Sequence, residues 1–450
     1  MKVECFLFGG VIVSEQKIAR AFTKFVSLNI LGMVGLSCYI LADTFFVSKG
    51  LGMKGLAALN LAIVIYSLIQ AVALMIGIGG ATKFTVLKTQ GNNYEAEEVF
   101  THCTVSALVL GTLFAFCGIT ASAKISMILG ANSDTFTMTN VYVKTIMCFA
   151  PFFILNTVLI AFLRNDGAPR LAMSCMLFGS FANIVLDYIF IFPLNMGMFG
   201  AAFATGIAPI LSISLMYLHF SQGTNQLRLR KSRFSFAHLR NISALGISAF
   251  VSEISFGTIL MIFNIVILNI AGTTGVAAYG IIANIAFVTN AIFVGIGQGI
   301  QPLASKAHGE GDSRRLQLIL KYALVLSAAV WALIYLGITF FTDGIIAVFN
   351  SENNHALRDY AASGLVIYFS GFAAAGLNII ITAFLSAAES SRAAFVLSMT
   401  RGFAAIVPLV LVLPHFWGII GVWLVFPVAE SLTLALAVKS LLVQRKLSSL

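Results

Sequence analysis

The sequence predicts an all-α polytopic membrane protein with twelve transmembrane helices in two pseudo-symmetric six-helix lobes. Three observations predict this fold: an apolar composition, twelve apolar runs of spanning length, and an internal duplication. The 450 residues are 59% hydrophobic and 10% charged, with a mean hydropathy of +0.97. A water-soluble protein of this length has no means of keeping so much apolar surface out of water, so its expected surroundings are a lipid bilayer.

Twelve apolar runs are long enough to cross about 30 Å of hydrocarbon, which takes roughly 20 residues. Backbone polar groups inside lipid must be hydrogen-bonded within their own segment, so each run is predicted to be a helix. The runs lie at 25–47, 55–80, 99–120, 138–162, 170–192 and 197–220, and then at 242–269, 276–301, 319–340, 360–385, 393–413 and 418–439.

The cationic residues indicate the orientation. An even number of helices leaves both termini on one side, and 22 of the 27 Lys and Arg residues fall there, Arg164 and Arg401 among them. This bias places both ends in the cytoplasm and the protein in the cytoplasmic (inner) membrane. It also explains the net charge of +10 without a nucleic-acid partner. The other five cations are Lys49, Lys54, Lys124, Lys144 and Arg358.

The two sets of six helices are duplicates. Because each half has an even number of helices, the halves share one orientation, and such parallel repeats are typical of transporters. Motifs recur at an offset of 220 or 221: 55-GLAALN-60 with 275-GVAAYG-280, 77-GIGG-80 with 297-GQGI-300, Gly91 with Gly311, Pro193 with Pro414, Gly197 with Gly418, and Gly200 with Gly421.

The duplication sets the predicted domain boundaries. They are an N-terminal cytoplasmic extension at 1–19, an N-lobe at 20–220 with helices 1–6, a basic cytoplasmic linker at 221–241, a C-lobe at 242–440 with helices 7–12, and a cytoplasmic tail at 441–450.

Four carboxylates fall inside predicted spans: Asp43, Asp187, Glu253 and Glu430. Each costs about 2.5–3.5 kcal/mol at a helix centre, so each requires a reason. For Glu430, packing or a bond to a neighbouring helix explains the residue as well as a functional role does.

Three helices bring polar residues to one predicted depth. From the helical rise, Asp43 and Asp187 lie about 25–28 Å from the cytoplasmic face, and Thr205 enters from the outer side. Asn183 precedes Asp187 by four residues and therefore faces the same way. A second carboxylate nearby, together with burial, favours retention of a proton by the Asp pair, whose titration belongs to both residues together.

Comparison of the two duplicated lobes distinguishes a functional role from a structural one at these four positions. The second lobe has apolar residues at all four equivalents, so a structural need common to both lobes does not explain the cluster. The alternative is that the polar residues only hold the first lobe together by interhelical hydrogen bonds. The equivalents are Phe263, Ala404, Pro408 and Phe426.

Three stretches, 42-ADTFFVSKGLGMKGLAALN-60, 163-LRNDGAPRLAM-173 and 295-GIGQGIQPLASKAHGEGD-312, resemble the multidrug and toxic compound extrusion (MATE) transporters. The resemblance runs from about residue 17 to the C-terminus, and within the family it is to the DinF-like branch. It implies a secondary antiporter that exports organic, often cationic, compounds in exchange for H⁺ or Na⁺, by rocker-switch alternating access. It also implies a proton or Na⁺ site at Asp43, Asn183, Asp187 and Thr205.

The resemblance implies a second set of candidates for binding substrate or a second cation. Glu253 matches an acidic position on helix 7, and Asn378 lies where other branches carry a helix-10 acid. Gln298 and Gln301 are candidate cavity-lining amides. The alternatives are a local salt bridge or hydrogen bond for Glu253 and helix packing for the glutamines. The expected partners are small organic molecules, and the protein is expected to be a monomer.

Two rival functions remain. A lipid-linked oligosaccharide or polysaccharide flippase of the wider superfamily has a similar architecture but tends to place cations in its cavity, whereas no Lys or Arg is central in a first-lobe span. A membrane enzyme would need catalytic motifs, and HExxH, GxSxG and the P-loop are all absent from the sequence. The six cysteines show no CxxC spacing and are expected to pack helices. No enzyme activity, resident metal or cofactor is therefore expected beyond the coupling ion.

Overall fold

The computed structural model is all-helical in the part of the chain that it describes. Backbone is described for residues 2–221, 226–230, 235–350 and 354–447, and side chains for 15–217, 226–230, 235–350 and 354–443. The side chains of Cys5, of residues 1–14 of the predicted extension, and of parts of the linker and tail lie outside these ranges. The helices are α1 (Lys2–Thr89), α2 (Asn93–Ile128), α3 (Phe136–Cys148), α4 (Ala150–Asn165), α5 (Pro169–Ile191), α6 (Gly197–Ser221), α7 (Phe236–Gly309), α8 (Ser313–Phe349), α9 (His355–Ser370), α10 (Phe372–Ala387), α11 (Ser391–Met399), a π-helical turn (Thr400–Ala404) and α12 (Ile406–Leu447).

Two of these helices each contain two membrane spans that meet at a glycine, and a third, α12, contains the end of one span and the whole of the next. Gly52 in α1, Gly272 in α7 and Gly418 in α12 adopt φ of 68°, 62° and 55°, a left-handed region that glycine enters without steric cost. The two halves of α1 lie side by side, since the hydroxyls of Tyr39 and Tyr66, on either side of Gly52, are 2.9 Å apart. Each glycine therefore marks a turn between two spans.

Two further spans are bent helix pairs. The axes of α3 and α4 meet at 51°, where Pro151 lies in the first turn of α4, and those of α9 and α10 meet at 40°. In described residues this gives twelve spans, and each predicted run lies within one of them, except that 170–192 ends one residue beyond α5. Spans 1 and 2 are the halves of α1, span 3 is α2, span 4 is α3 with α4, span 5 is α5, span 6 is α6, spans 7 and 8 are the halves of α7, span 9 is α8, span 10 is α9 with α10, span 11 runs from α11 to Gly418, and span 12 is the rest of α12.

The duplication is visible in the backbone itself. Gly91 and Gly311 both end a helix with positive φ, and the next residues, Asn92 and Asp312, both cap the following helix by accepting a hydrogen bond from a backbone N–H three residues on. The same spacing relates the glycine turns, Gly52 to Gly272 at 220 and Gly197 to Gly418 at 221.

Side-chain packing forms two hydrophobic cores. One contains buried residues from Val47 to Ile242, and the other contains residues from Phe263 to Ala437 together with Phe22 and Val26 of span 1. We call spans 1–6 the first half and spans 7–12 the second half, so that Phe22, Val26 and Ile242 pack into the core of the opposite half.

The two halves pack tightly at one end of the bundle. This end carries Lys83 and Arg314, two of the cations that the sequence places in the cytoplasm, and we call it the basic end. Span 2 and span 7 meet there with almost no side chain between them, since a Cβ on Gly79 would lie 2.0 Å from the Ile242 carbonyl oxygen. Close glycine contacts of this kind let helix backbones approach each other. The halves are therefore closed against each other at the basic end.

Candidate functional site

The structure brings the four predicted polar residues of the first half together. Asp43 on span 1, Asn183 and Asp187 on α5 and Thr205 on α6 are all buried, with exposed fractions of 7%, 1%, 0% and 5%. The helices place them at one level, as the depth estimate predicted. Their role in coupling stays a prediction, whereas their convergence is a property of the structure.

Hydrogen bonds connect the cluster. In the orientation that satisfies both of its amide atoms, Asn183 donates to Asp187 Oδ2 at 3.1 Å and accepts from the Thr205 backbone N–H at 3.2 Å. The Asp43 and Asp187 carboxyl groups are close enough to share a hydrogen bond. Two carboxyl groups can do so only if one of them carries a proton, because a carboxylate has no donor. One oxygen of each, Oδ1, has no hydrogen-bond partner among described residues.

Tyrosine side chains complete the cluster. Tyr39 lies one turn before Asp43 on span 1, and its hydroxyl is hydrogen-bonded to that of Tyr66, while the buried Tyr142 of α3 lies beside Thr205. Sequence reasoning did not identify these residues. The i, i+4 spacing to Asp43 could have found Tyr39, whereas no local signal points to Tyr142.

The equivalent region of the second half is aromatic. Phe263 and Phe426, the equivalents of Asp43 and Thr205, both contact Tyr368, with ring centroids 6.4 and 4.3 Å apart. The other two equivalents, Ala404 and Pro408, are exposed, and Ala404 belongs to the π-helical turn. The polar cluster thus has no counterpart in the second half.

A cavity of about 370 Å³ lies between the two halves and borders this cluster. Asn183 and Thr205 line it, whereas Asp43 and Asp187 lie behind them and away from its surface. Four charged residues line the cavity: Arg164, Glu253, Arg401 and Glu430.

The second set of predicted site residues is only partly brought together. Glu253, Gln298 and Gln301 line the cavity. Glu253 is half-buried and has no hydrogen bond or ion pair with any described residue, so the local salt bridge considered for it is absent. Gln301 donates to the Ile78 carbonyl oxygen at 3.2 Å and to Thr82 Oγ1 at 2.8 Å, so it links the halves near the basic end.

Asn378 belongs to a separate buried cluster. Its amide donates to Glu430 Oε2 at 2.7 Å, and Arg401 donates to Glu430 Oε1 at 2.8 Å. Glu430 therefore forms hydrogen bonds to neighbouring helices, which is one of the two interpretations that the sequence left open. Asn378 was a candidate for binding a second cation. The Arg401 guanidinium already supplies a positive charge to this cluster, which argues against a second cation there.

Two arginines correct the sequence analysis. Arg401 and Arg164 were both placed at the cytoplasmic face, and the absence of a central Lys or Arg from the first-lobe spans was a reason to disfavour the flippase. Arg401 instead lies within span 11, at the π-helical turn, and reaches Glu430 on span 12. Arg164 is 3% exposed, lines the cavity and donates to Asn29 Oδ1 at 3.0 Å and to Gln298 Oε1. Both positions depend on which helices are neighbours and on how each helix is rotated about its axis. Hydropathy indicates neither.

An ion cluster lies where the halves meet at the basic end, around Glu389 in the connection between α10 and α11. Glu389 accepts from Lys83 Nζ at 3.0 Å across the halves, and His308 Nε2 lies 3.7 Å from its other oxygen. The hydrogen bond from His308, and then that from Lys83, lowers the pKa of Glu389 to about 2 in spite of its partial burial. The Glu389 carboxylate is thus held charged.

Comparisons with known proteins agree with this architecture. Two relatives named multidrug export protein MepA are 26% identical over 84% of this chain and 83% of theirs, in Staphylococcus saprophyticus, and 25% identical over 94% and 93%, in Staphylococcus haemolyticus. A solved structure of the outward-facing conformation of a multidrug resistance MATE family transporter of the MOP superfamily shares the fold, with a TM-score of 0.88, 22% identity and 95% coverage of both chains.

The family model named MatE matches the chain twice, over residues 29–189 and 249–411. The two matches begin 220 residues apart, so each one covers one copy of the duplication. Together they span well over half of the sequence. The chain therefore belongs to the MatE family of membrane transporters.

Proposed function

We propose that the protein is a secondary active antiporter that exports small organic compounds, many of them cationic, in exchange for inward H⁺ or Na⁺. The observation that carries this proposal is the asymmetric polar cluster. A carboxyl pair in contact is present in one half of a duplicated fold, and the equivalent residues of the other half, Phe263 and Pro408, cannot ionise. A purely structural need would have been met in the same way in both halves.

The cluster is suited to exchange an ion in step with cargo. Asp43 and Asp187 hold one proton between them when they are in contact, and loss of that proton places two negative charges side by side. Asn183 and Thr205 connect this pair to the cavity surface, so a change in its charge is felt where cargo binds. With Na⁺ in place of the proton, the same oxygens would be its ligands.

The packing of the halves supports alternating access. The cavity is closed at the basic end, and with that end in the cytoplasm the molecule faces outward. The inward-facing state would require spans 2 and 7 to separate and the contact between Lys83 and Glu389 to break. One charge crossing 100 mV supplies about 2.3 kcal/mol, which supports a roughly 40- to 50-fold gradient of cargo.

The cavity favours a drug-sized cargo over the flippase alternative. Ligand pockets for small molecules are typically about 300–1,000 Å³, and this cavity of about 370 Å³ lies at the small end of that range. A lipid-linked oligosaccharide is considerably larger than such a space.

Efflux from cells tests the proposal. Ethidium efflux is compared between the parent and the variants Asp43→Asn and Asp187→Asn. Asp134→Asn is the control, because that carboxylate is exposed and, among described residues, forms an ion pair only with Lys54. We expect uphill efflux from the parent and the control and its loss in the first two variants. Uphill efflux retained in both would refute the coupling role. Replacing external Na⁺ by K⁺ at fixed pH separates the two ions.

A further inference from the structure

A groove of about 510 Å³ opens at the basic end between spans 1 and 5 and shares no lining residue with the central cavity. The two helices touch nearer the middle of the membrane, where Gly32 meets Met176. The described side chains that line the groove include three cations, Arg20, Lys24 and Arg170, and no carboxylate. The groove is therefore a positively charged site outside the proposed antiport machinery.

The three cations have no counter-charge within the described chain. All three are exposed, and none of their side chains forms an ion pair with another described residue. Arg314, at the same end of the bundle, does have such a partner, because it pairs with Glu15 at 3.0 Å. Arg20 and Lys24 are four residues apart on one helix face, where like charges destabilise a helix. An anion bound between them would relieve this repulsion.

The groove changes from polar to apolar along its length. Thr23 and Ser27 add hydroxyl donors beside the cations, and Leu28 lines the part nearer the hydrocarbon. The same face of span 1 continues with Leu31, whose side chain is 55% exposed. Lys24 directly precedes the first apolar run, so the cations lie where lipid headgroups meet hydrocarbon. A ligand that matches this gradient has an anionic head and an apolar tail.

We propose that the groove binds the phosphate headgroup of an anionic phospholipid from the cytoplasmic leaflet. With the basic end in the cytoplasm, the groove is a basic pocket between transmembrane helices, a type of site that binds anionic headgroups. Arg20 and Arg170 can each donate two parallel N–H bonds to phosphate oxygens, and Lys24 adds a third charge. The acyl chains would lie along Leu28 and Leu31. This site goes beyond the proposed antiport and does not depend on it.

A lipid in the groove would also connect the two halves. Span 1 belongs to the first half, but its basic end packs on the second. The rings of Phe22 and Tyr322 lie 5.7 Å apart between centroids, and a Cβ on Gly299 would lie 2.7 Å from the Val26 Cα. Arg170 lies instead on α5, which packs into the core of the first half. The bound headgroup would therefore stabilise the state that is closed at the basic end.

Native mass spectrometry of the delipidated protein in detergent tests the site. The probes are phosphatidylglycerol, phosphatidylcholine with the same acyl chains, and inorganic phosphate. We expect Lys24→Gln and Arg170→Gln each to weaken binding of the first phosphatidylglycerol about fivefold, the equivalent of ~1 kcal/mol per cation. Lys24→Arg keeps the charge and should bind like the parent. Arg392→Gln is the matched control and should also bind like the parent, because this exposed arginine is the second residue of α11, as Arg170 is of α5, but does not line the groove.

Three results would overturn the inference. Equal affinity for phosphatidylglycerol in the parent and in both glutamine variants would show that the lipid does not bind in the groove. Equal affinity of the parent for phosphatidylcholine and phosphatidylglycerol would remove the preference for an anionic lipid. Binding of inorganic phosphate as tight as that of phosphatidylglycerol would assign the groove to free phosphate.

The bridging role is tested in nanodiscs made of phosphatidylglycerol or phosphatidylcholine. Pulsed electron paramagnetic resonance is recorded between spin labels at Gln90 and Ser313, which are exposed at the basic end of opposite halves. In the parent we expect phosphatidylglycerol to increase the population of short distances. In Arg170→Gln this difference between the two lipids should disappear. Identical distance distributions for the parent in both lipids would refute the bridging role.

Discussion

A tight backbone contact between the halves, at Gly246, gives a prediction with a computable magnitude. A Cβ on Gly246 would lie 1.9 Å from the Met75 carbonyl oxygen, whereas real Cβ atoms essentially never approach another heavy atom closer than 3.0 Å. In Gly246→Ala, spans 2 and 7 must therefore separate by at least about 1.1 Å. Both contacting groups are backbone, so no side chain can rotate away to relieve the overlap. Overpacking of this kind costs about 1–3 kcal/mol, which disfavours the state closed at the basic end by about 5- to 150-fold.

Pulsed electron paramagnetic resonance measures the effect. Spin labels at Gln90 and Ser313, which are exposed at the basic end of opposite halves, report their separation in a background with the native cysteines replaced. We expect Gly246→Ala to populate longer distances than the parent. Gly257→Ala on the same helix is the control, because its Cβ would have only Ser67 Oγ nearby, at 4.0 Å. Identical distance distributions and thermal stabilities for the two variants would refute the reasoning.

Further predictions concern the ion pairs. Arg401→Met leaves Glu430 buried without its cation, so unfolding of the detergent-solubilised protein should be easier by about 3–5 kcal/mol. Adding Glu430→Leu to this variant should restore most of the lost stability. An unchanged melting temperature for Arg401→Met would argue against a stabilising ion pair between Arg401 and Glu430. Glu389→Gln removes partly exposed contacts worth about 0–1 kcal/mol each, so the same spin labels should report slightly more opening. The Glu389 pKa is lowered from 4.5 to about 2, so its contribution is complete above pH 4.5 and is lost only as pH falls through about 2. The pH profile of transport above about pH 5 should therefore be the same in Glu389→Gln and the parent, and a shifted profile would contradict this.

The sequence could predict most of the fold because the bilayer restricts it. Hydrocarbon requires apolar helices of a set length, so the apolar runs located all twelve spans of the described chain. The turns were also marked, since positions that require positive φ, such as Gly52 and Gly272, were occupied by glycine at the repeat offset. The sequence did not reveal that helices extend beyond the hydrocarbon, as α2 does on both sides of 99–120.

The candidate site was predictable only where depth alone decided it. Asp43, Asp187 and Thr205 share a level, and depth follows from residue counting along a helix. Arg401 was misplaced and the burial of Arg164 at the end of span 4 was not predicted, because the direction in which a side chain points depends on helix rotation and on which helices are neighbours. The π-helical turn at 400–404 changes the helix register where Arg401 reaches span 12. A single sequence gives no such information.

Transport by purified protein in liposomes tests the central claim most directly. A pH gradient is imposed in Na⁺-free buffer, and ethidium accumulation against its own gradient is followed for the parent, Asp43→Asn, Asp187→Asn and the control Asp134→Asn. A Na⁺ gradient at equal pH is imposed in parallel. Our account predicts uphill accumulation by the parent and the control under at least one of the two gradients, and only downhill equilibration by the variants of Asp43 and Asp187. Uphill accumulation of equal extent in all four proteins would contradict it.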